Sequence, residues 1–258
     1  MKSLDIIGCS HAWALAGLPE SGSYHIGPVL AHSLSREKTT NKGREKLFKV
    51  LSLLDPNNSE VVLAFGEIDI RAHVTNQATQ QKVSPMRVLT VLSYEYFNVI
   101  KEVRAKGFKV YIWCVTHTHL LPTDVSRVPA TDSLEVRRKY TTFFNESMKK
   151  LCKQEKNIIF VDMAEEFKST NYLYDKIHLH PNAKERIFKR FKELGIDWNK
   201  EREDYLKNIN NSFNNVSYLT QEHALMPILP IKKIKKLTEA INKEGTHNGE
   251  INVINIVK

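Results

Sequence analysis

The stretch that decides the fold is LDIIGCSH, residues Leu4–His11, near the N-terminus. Its apolar half is typical of a buried strand, and the glycine followed by small and polar residues is typical of the turn that leaves a strand. Short apolar runs of this kind alternate with amphipathic stretches as far as Gly195. This alternation predicts parallel strands joined by helices, which gives an α/β fold built as a three-layer α/β/α sandwich.

Four buried strands and several helices are predicted in this part of the chain. The strands are Leu4–Gly8, Glu60–Phe65, Lys109–Val115 and Asn157–Asp162. The helices are Arg44–Leu54, Ser84–Ala105, Asp132–Gln154, Pro181–Leu194 and one that begins within Gly27–Ser35. Asp132 is expected to cap its helix. Gly107 and Gly195 follow predicted helix ends, where glycine is the favoured residue.

Polar residues follow the predicted strands. The segments concerned are Cys9–His11, Gly66–His73, Thr116–His119 and Tyr174–Pro181. The carboxyl ends of parallel strands meet at one edge of such a sheet, and ligands bind at that edge in this class of fold. We therefore expect a functional site there, built from these four segments.

The composition is that of a globular chain of 258 residues and 29.7 kDa, with 41% hydrophobic and 26% charged residues. No stretch reaches the roughly 18 consecutive apolar residues that a membrane-spanning helix requires. The N-terminus lacks the apolar run of a secretory signal, so a cytoplasmic location is expected. Cys9, Cys114 and Cys152 are scattered in apolar settings, which predicts buried free thiols.

The net charge of +9 raises the question of an anionic partner. Most basic residues lie beside acids on helix-like stretches, as in Lys184–Arg186, and this pattern is typical of a solvated face. Nucleic acid is therefore not the favoured partner.

The chain divides into a domain at residues 1–198 and a C-terminal extension at residues 199–258, where the α/β alternation stops. The extension has apolar residues at helical spacing in Ile231–Asn242 and a strand-like run in Ile251–Val257. We expect this helix and these extended segments to pack on the domain or to form the contact of a homo-oligomer.

Residues 1–195 resemble the SGNH (GDSL-like) hydrolases, which are serine esterases and acyltransferases on a flavodoxin-like sheet. Gly8-Cys9-Ser10 is similar to the family's Gly-Asp-Ser block, with Cys9 in place of the aspartate. Asp175-Lys176-Ile177-His178 is similar to the family's Asp-x-x-His block before the last helix. The third block, Gly-x-Asn-Asp, is matched in part by Gly66-Glu67-Ile68-Asp69, and Gly27 is the candidate for the second-block glycine.

The resemblance implies a catalytic triad of Ser10, His178 and Asp175, with no cofactor. A serine hydroxyl needs a base within hydrogen-bond reach, and that base needs an acceptor on its other ring nitrogen. The expected reaction is the hydrolysis, through an acyl-enzyme, of a small acetyl-like ester on a carbohydrate-like substrate. The partner would be a small-molecule or glycan ester.

The oxyanion hole departs from the family pattern. The resemblance implies donors at the backbone N–H groups of Ser10 and Gly27 and a third donor in the family's asparagine, where this chain has Ile68. Three explanations are open: Arg71 or His73 replaces the asparagine, two donors suffice, or hydrolysis has been lost.

Other polar residues at the same edge are candidates for binding substrate. Glu67, Asp69, Arg71 and His73 form a polar series on one loop, more than folding requires. We expect Arg71 to orient the substrate and Asp69 to hold the loop. His11, next to Ser10, and His117, after the third strand, are expected to lie near the pocket.

Three alternatives from the sequence are kept open. The first is an O-acyltransferase of the same fold, since both reactions share an acyl-enzyme. The second is a non-catalytic protein that binds a glycan or another ligand, which the isoleucine at position 68 favours. The third is a metal-dependent hydrolase that uses pairs of the ligand types accepted by zinc or manganese: His117 and His119, Asp69 and His73, and His178 and His180. This third reading is the least favoured because no recognised metal motif is present, so no metal ligand is assigned.

Overall fold

A computed structural model of the chain describes residues 2–16, 18, 21–124, 128–173 and 175–196. Five strands form one sheet, in which every pair of neighbours is parallel. The strands are β1 (Ser3–Gly8), β2 (Ser21–His25), β3 (Ser59–Ala64), β4 (Val110–Trp113) and β5 (Ile158–Val161), in the order β2-β1-β3-β4-β5. The predicted α/β class with a parallel sheet is confirmed.

The described part of the chain holds five α-helices. They are α1 (Gly43–Ser52), α2 (Val74–Gln81), α3 (Pro85–Ala105), α4 (Leu134–Cys152) and α5 (Lys184–Glu193). The predicted C-terminal extension lies outside the described residues, as does its predicted role in oligomer contacts. None of the helices described is long and apolar enough to cross a membrane.

Two elements were not predicted from the sequence. Strand β2 reads Ser-Gly-Ser-Tyr-His, which lacks an apolar run. It forms because it pairs with β1 along its whole length, and because the Tyr24 hydroxyl donates to the buried Asp5 carboxylate at 3.2 Å. Helix α2 follows a π-helical turn at Asp69–His73 and is mostly polar.

The helix predicted to begin within Gly27–Ser35 is only a short 3-10 turn, His32–Ser35.

The helix boundaries show one further correction. The predicted cap Asp132 is wrong by one residue, because the hydroxyl of Ser133 accepts the N–H of Val136 at the start of α4. Ser84 caps α3 in the same way. Gly107 has a positive φ of 94°, as expected of a glycine just past a helix end.

Apolar side chains cover both faces of the sheet. Ile7, Leu63 and Ile112 pack with α1, α3 and α4, whereas Ile6 and Val62 pack with α5 on the other face. Each fully buried side chain of this size stabilises the fold by about 1.5–3 kcal/mol relative to an exposed one. The carboxyl ends of β1 and β3 are therefore held firmly side by side. The predicted burial of three free thiols, at Cys9, Cys114 and Cys152, is confirmed.

Candidate active site

Ser10 lies where β1, an inner strand of the sheet, ends. Gly8 passes so close to β3 that a Cβ there would be 2.5 Å from the Ala64 carbonyl oxygen. The same carbonyl accepts the N–H of Cys9 at 3.3 Å, which ends the strand. Ser10 then begins a 3-10 helix, Ser10–Leu15, so its half-buried side chain leaves the sheet at the carboxyl edge.

A chain of two short hydrogen bonds joins Ser10 to His178 and Asp175. The Nε2 atom of His178 lies 2.7 Å from the Ser10 Oγ, and its Nδ1 lies 2.6 Å from the Asp175 Oδ2. Because a carboxylate only accepts hydrogen bonds, the neutral imidazole carries its proton on Nδ1 and accepts the serine proton on Nε2. This is the arrangement of a nucleophile, a base and a group that orients the base.

Asp175 is held in place by its own loop. Its Oδ1 accepts the backbone N–H groups of Ile177 at 3.0 Å and of His178 at 2.7 Å. Burial raises the pKa of Asp175, but the hydrogen bonds that it accepts from His178 and Ile177, together with its attraction to the protonated form of His178, outweigh burial, so the pKa lies below its ordinary value. The carboxylate is thus ionised and oriented before any substrate arrives.

The loop that carries Asp175 and His178 is tied down on two sides. The carbonyl of Lys176 accepts the N–H of His119 at 2.6 Å, and the Lys176 ammonium lies 3.0 Å from the Asp124 carboxylate. On the other side, the N–H of His180 donates to the Tyr172 carbonyl at 2.6 Å. The contacts of Lys176 link the loop to the segment that follows β4, and the contact with Tyr172 links it to the segment that follows β5.

His11 is buried directly beside His178. The two ring centroids are 5.0 Å apart, and the His11 Nδ1 lies 3.7 Å from the Cys9 Sγ. Burial lowers the pKa of His11 to about 4 and raises the pKa of the Cys9 thiol to about 12. His11 is therefore neutral at physiological pH, and Cys9 is a protonated thiol without nucleophilic character.

Asp69 fastens the end of β3 to the segment that follows β2. Its carboxylate accepts the backbone N–H of Ala31 at 2.8 Å and of His32 at 3.2 Å. Burial raises the pKa of Asp69 to about 7, and the two N–H donors oppose that rise. Ile68 is buried beside it, with 7% of its surface exposed.

Glu67 and Arg71 form a buried ion pair. The Nε of Arg71 donates to the Glu67 Oε1 at 2.6 Å, and its Nη2 donates to Oε2 at 3.1 Å. The Nη1 of Arg71 donates to the Val128 carbonyl, and the N–H of Thr131 donates to the Arg71 carbonyl at 3.1 Å. Burial raises the pKa of Glu67, but the charge of Arg71 outweighs it and holds the pKa below its ordinary value. Three of the five N–H donors of the guanidinium are therefore bonded within the protein.

The other predicted residues are divided between the site and its surroundings. Gly27 follows β2 with a φ of +95°, and neither its N–H nor that of Ser10 donates in any turn or loop hydrogen bond among the described residues. His73 is half-buried on the wall of a separate cavity. His117 is buried with its Nε2 3.5 Å from Glu165. The structure gives neither His73 nor His117 a hydrogen bond to Ser10 or His178 within the described residues.

Two residues of α4 that support the site were not among those predicted for it. Arg137 donates to Thr118 at 2.9 Å, to the Leu120 carbonyl and to the Asp132 carbonyl at 3.2 Å. Asn145 pairs its side-chain amide with both the N–H and the carbonyl of Val115, at 3.0 and 2.8 Å. A charged and an amide residue on the buried face of a predicted helix is the signal that could have identified both.

The described residues contain no group of three or more histidine, cysteine, aspartate or glutamate side chains placed to hold a metal ion. Two of the residues considered as metal ligands from the sequence have other bonding partners. The imidazole of His178 is hydrogen-bonded to Ser10 and Asp175. Asp69 is committed to the backbone of Ala31 and His32.

Solved structures similar to this chain include an acetylxylan esterase from Geobacillus stearothermophilus. One variant of it is 12% identical, with a TM-score of 0.51 over 77% of this chain and 97% of that chain. Another is 14% identical, with a TM-score of 0.50 over the same shares. Both are described as catalytic mutants, one with a histidine and the other with a serine replaced by alanine. A protein from Streptococcus pneumonia, described provisionally as a platelet activating factor, is 14% identical, with a TM-score of 0.51 over 75% of this chain and 83% of that chain.

No protein-family model and no curated protein matches the sequence. At this level of identity the structural similarity concerns the fold. The chain has the α/β fold of the SGNH (GDSL-like) hydrolases, as the resemblance of its first and last sequence blocks predicted.

Proposed function

We propose that the protein is a serine esterase that removes a small acyl group through Ser10, His178 and Asp175. The observation that carries this proposal is the chain of hydrogen bonds from Ser10 Oγ through the imidazole to the Asp175 carboxylate, at 2.7 and 2.6 Å. General-base catalysis requires heavy-atom distances of about 2.6–3.2 Å between base and nucleophile. Both distances lie within that range.

The reaction then has two halves. His178 takes the Ser10 proton while Oγ bonds to the ester carbonyl carbon, and the carbonyl electron pair moves onto its oxygen. The tetrahedral intermediate collapses, and the leaving alcohol takes the proton from His178, which leaves an acyl-enzyme. Water attacks this ester with His178 again as the base, and the acid and free Ser10 are released. Asp175 stabilises the imidazolium in both halves.

The oxyanion is stabilised by two backbone donors in this proposal, the N–H groups of Ser10 and Gly27. Neither group donates in a turn or loop bond among the described residues. The hydrocarbon side chain of Ile68 has no donor, and Arg71 is already bonded to Glu67 and Val128. A missing donor costs about 10²–10³ in rate, so we expect a slower enzyme than a three-donor relative.

The substrate class is inferred from the similarity to solved structures and from the exposure of the site. An acetylxylan esterase is among the solved structures that share the fold, which supports an acetyl-like group on a carbohydrate. The pair of half-buried groups at the centre, Ser10 and His178, is open enough to meet such an ester.

The test is hydrolysis of p-nitrophenyl acetate by the wild type, Ser10→Ala and Ser52→Ala, in which the exposed serine on α1 serves as the matched control. We expect Ser10→Ala to lose the activity and Ser52→Ala to keep it. Equal rates for the wild type and Ser10→Ala in folded samples would refute the proposal. Acetate and nitrophenolate should be released in equal amounts, and a deficit of acetate when a sugar acceptor is added would indicate acyl transfer.

A further inference from the structure

A cavity of about 280 Å³ lies between α2, α3 and the segment that follows β2. Ser10, Asp175 and His178 are not among the described residues that line it, whereas Asp69 and His73 are. A water molecule occupies roughly 30 Å³ of liquid and a methylene group is of similar size, so this volume holds about nine such groups. It is large enough for a small organic ligand.

Six of the thirteen described residues that line the cavity are hydrophobic. The hydrophobic residues of the wall are Leu30, Val74, Val83, Val88, Val91 and Leu92. Val83 and Val91 are each 39% exposed, and Met86 between them in sequence is 36% exposed. Of the five large hydrophobic side chains exposed among the described residues, four fall between Val83 and Tyr94. Two of these four, Val83 and Val91, line the cavity, and exposed apolar residues that lie together in this way are typical of a binding surface.

Two arginines at this cavity, Arg36 and Arg87, have exposed side chains without an acidic partner among the described residues. This sets them apart from Arg104, at the other end of α3, which is paired with Glu155 at 2.8 Å.

The nearby acids do not neutralise these two arginines. The imidazole of His32 lies 2.9 Å from Glu95, and the Asp69 carboxylate is bonded to backbone N–H groups. Two guanidinium groups that have no acidic partner in the described part of the chain, beside a cavity with a hydrophobic wall, are complementary to a ligand that has a hydrocarbon tail and an anionic head.

We propose that this cavity binds an amphiphilic anion, with a tail of about eight carbons on the valine and leucine wall and a carboxylate held by Arg36 and Arg87. The tail removes apolar surface from water, and the guanidinium groups supply charge-assisted hydrogen bonds to the head. The site does not depend on the chemistry at Ser10. Its wall includes Asp69, whose carboxylate accepts a backbone N–H from the segment that follows Gly27. A ligand in the cavity would therefore lie beside that segment.

The probe is sodium octanoate, titrated by calorimetry into the full chain carrying Ser10→Ala. This variant lacks the proposed nucleophile, so the binding result does not depend on whether the protein is an esterase. We expect saturable binding of octanoate, binding of octanol at least tenfold weaker, and no binding of inorganic phosphate. Arg36→Gln with Arg87→Gln should weaken octanoate about tenfold or more and leave octanol unchanged. The matched control, Arg104→Gln, should behave as the parent.

Val91→Asp, at an exposed position on the mouth, tests the apolar part and should weaken both octanoate and octanol. A melting curve for each variant establishes that it is folded. Absence of octanoate binding to the folded parent would overturn the proposal. Equal affinity for octanoate in the parent and in the double arginine variant would also overturn it.

Discussion

The ends of β1 and β3 lie side by side at the same edge of the sheet, yet they use their polar residues differently. After β3, Glu67, Asp69 and Arg71 are 3–5% exposed, and their charged groups are bonded within the protein. After β1, Ser10 is half-buried, and its hydroxyl is bonded to the equally half-buried His178. The first region is a closed polar network, and the second is a pair of groups that a substrate can reach.

The number of charged residues at a strand end is therefore a poor guide to which strand end carries the catalytic groups. The segment Glu67–His73 has four ionisable residues, whereas only Cys9 and His11 adjoin Ser10 in the sequence. For that reason functional roles are predicted from the sequence for all four. In the structure, Glu67 and Arg71 are buried and hydrogen-bonded to each other, so they stabilise the fold. Breaking such a buried ion pair lowers the free energy of unfolding by several kcal/mol. The groups suited to chemistry are those whose bonds can be exchanged for bonds to a substrate.

The largest expected effect is a loss of esterase activity when the region after β1 is altered. His178→Ala should lower kcat/KM for p-nitrophenyl acetate by about 10⁴-fold or more, because it removes the base. Its stability in urea should change little, since the ring is only half-buried. His180→Ala, two residues along the same loop, is the control and should retain activity. A His178→Ala protein that hydrolyses the ester at the wild-type rate would remove the distinction between the regions.

The second expected effect is on stability at the closed network. Glu67→Gln leaves the Arg71 charge buried without its partner and should cost about 3–5 kcal/mol of unfolding free energy. The double variant Glu67→Gln with Arg71→Met should recover part of that loss. Urea unfolding of the three proteins measures both values. If Glu67→Gln unfolds like the wild type but has lost esterase activity, Glu67 belongs to the reactive region instead.

The third prediction concerns Ile68, which lies between Glu67 and Asp69 of the closed network and occupies the position of the family's oxyanion-hole asparagine. Ile68→Asn supplies a side-chain donor, so kcat should rise, by up to about 10²-fold if the amide reaches the oxyanion. Ile68→Leu keeps the position apolar and should leave kcat unchanged. Steady-state kinetics with p-nitrophenyl acetate provides the comparison. A fall in kcat for a folded Ile68→Asn protein would mean that the hole already has its full set of donors.

The smallest expected effect is a pH dependence of stability from His11, beneath the reactive pair. Its folded pKa of about 4 lies below the ordinary 6.5, so the unfolded chain binds the proton more readily. Stability from this group is therefore present above pH 6.5 and is lost as the pH falls towards 4, by about 2 kcal/mol at pH 4.5. Urea unfolding at pH 7 and 4.5 measures it. His11→Phe should lose less stability than the wild type over this interval, and an equal loss would assign the effect to other groups.

The sequence predicts the parts of the site that rest on local patterns. The apolar run before Gly8 predicts β1, and the resemblance of Asp175-Lys176-Ile177-His178 to the Asp-x-x-His block implies a base beside its orienting carboxylate. Both depend on residues close together in the chain. The class of the fold follows from the alternation of such runs, which the parallel sheet confirms.

The parts that the sequence does not predict depend on distant contacts. Strand β2 is short and polar, and its pairing with β1 and the bond from Tyr24 to Asp5 stabilise it. The Glu67–Arg71 pair has the i, i+4 spacing of neighbours on a helix turn, but burial of that turn depends on the loop at Val128. Arg137 is charged on an otherwise buried face of α4, and its acceptors come from the segment after β4.

The most direct test of Ser10 as the nucleophile is labelling of the full chain with a fluorophosphonate, followed by mass spectrometry of its peptides. The proposed mechanism predicts one equivalent of label, located on Ser10, with labelling strongly slowed in His178→Ala and absent in Ser10→Ala. A folded wild-type protein that takes up no label, or that is labelled at another residue, would contradict it.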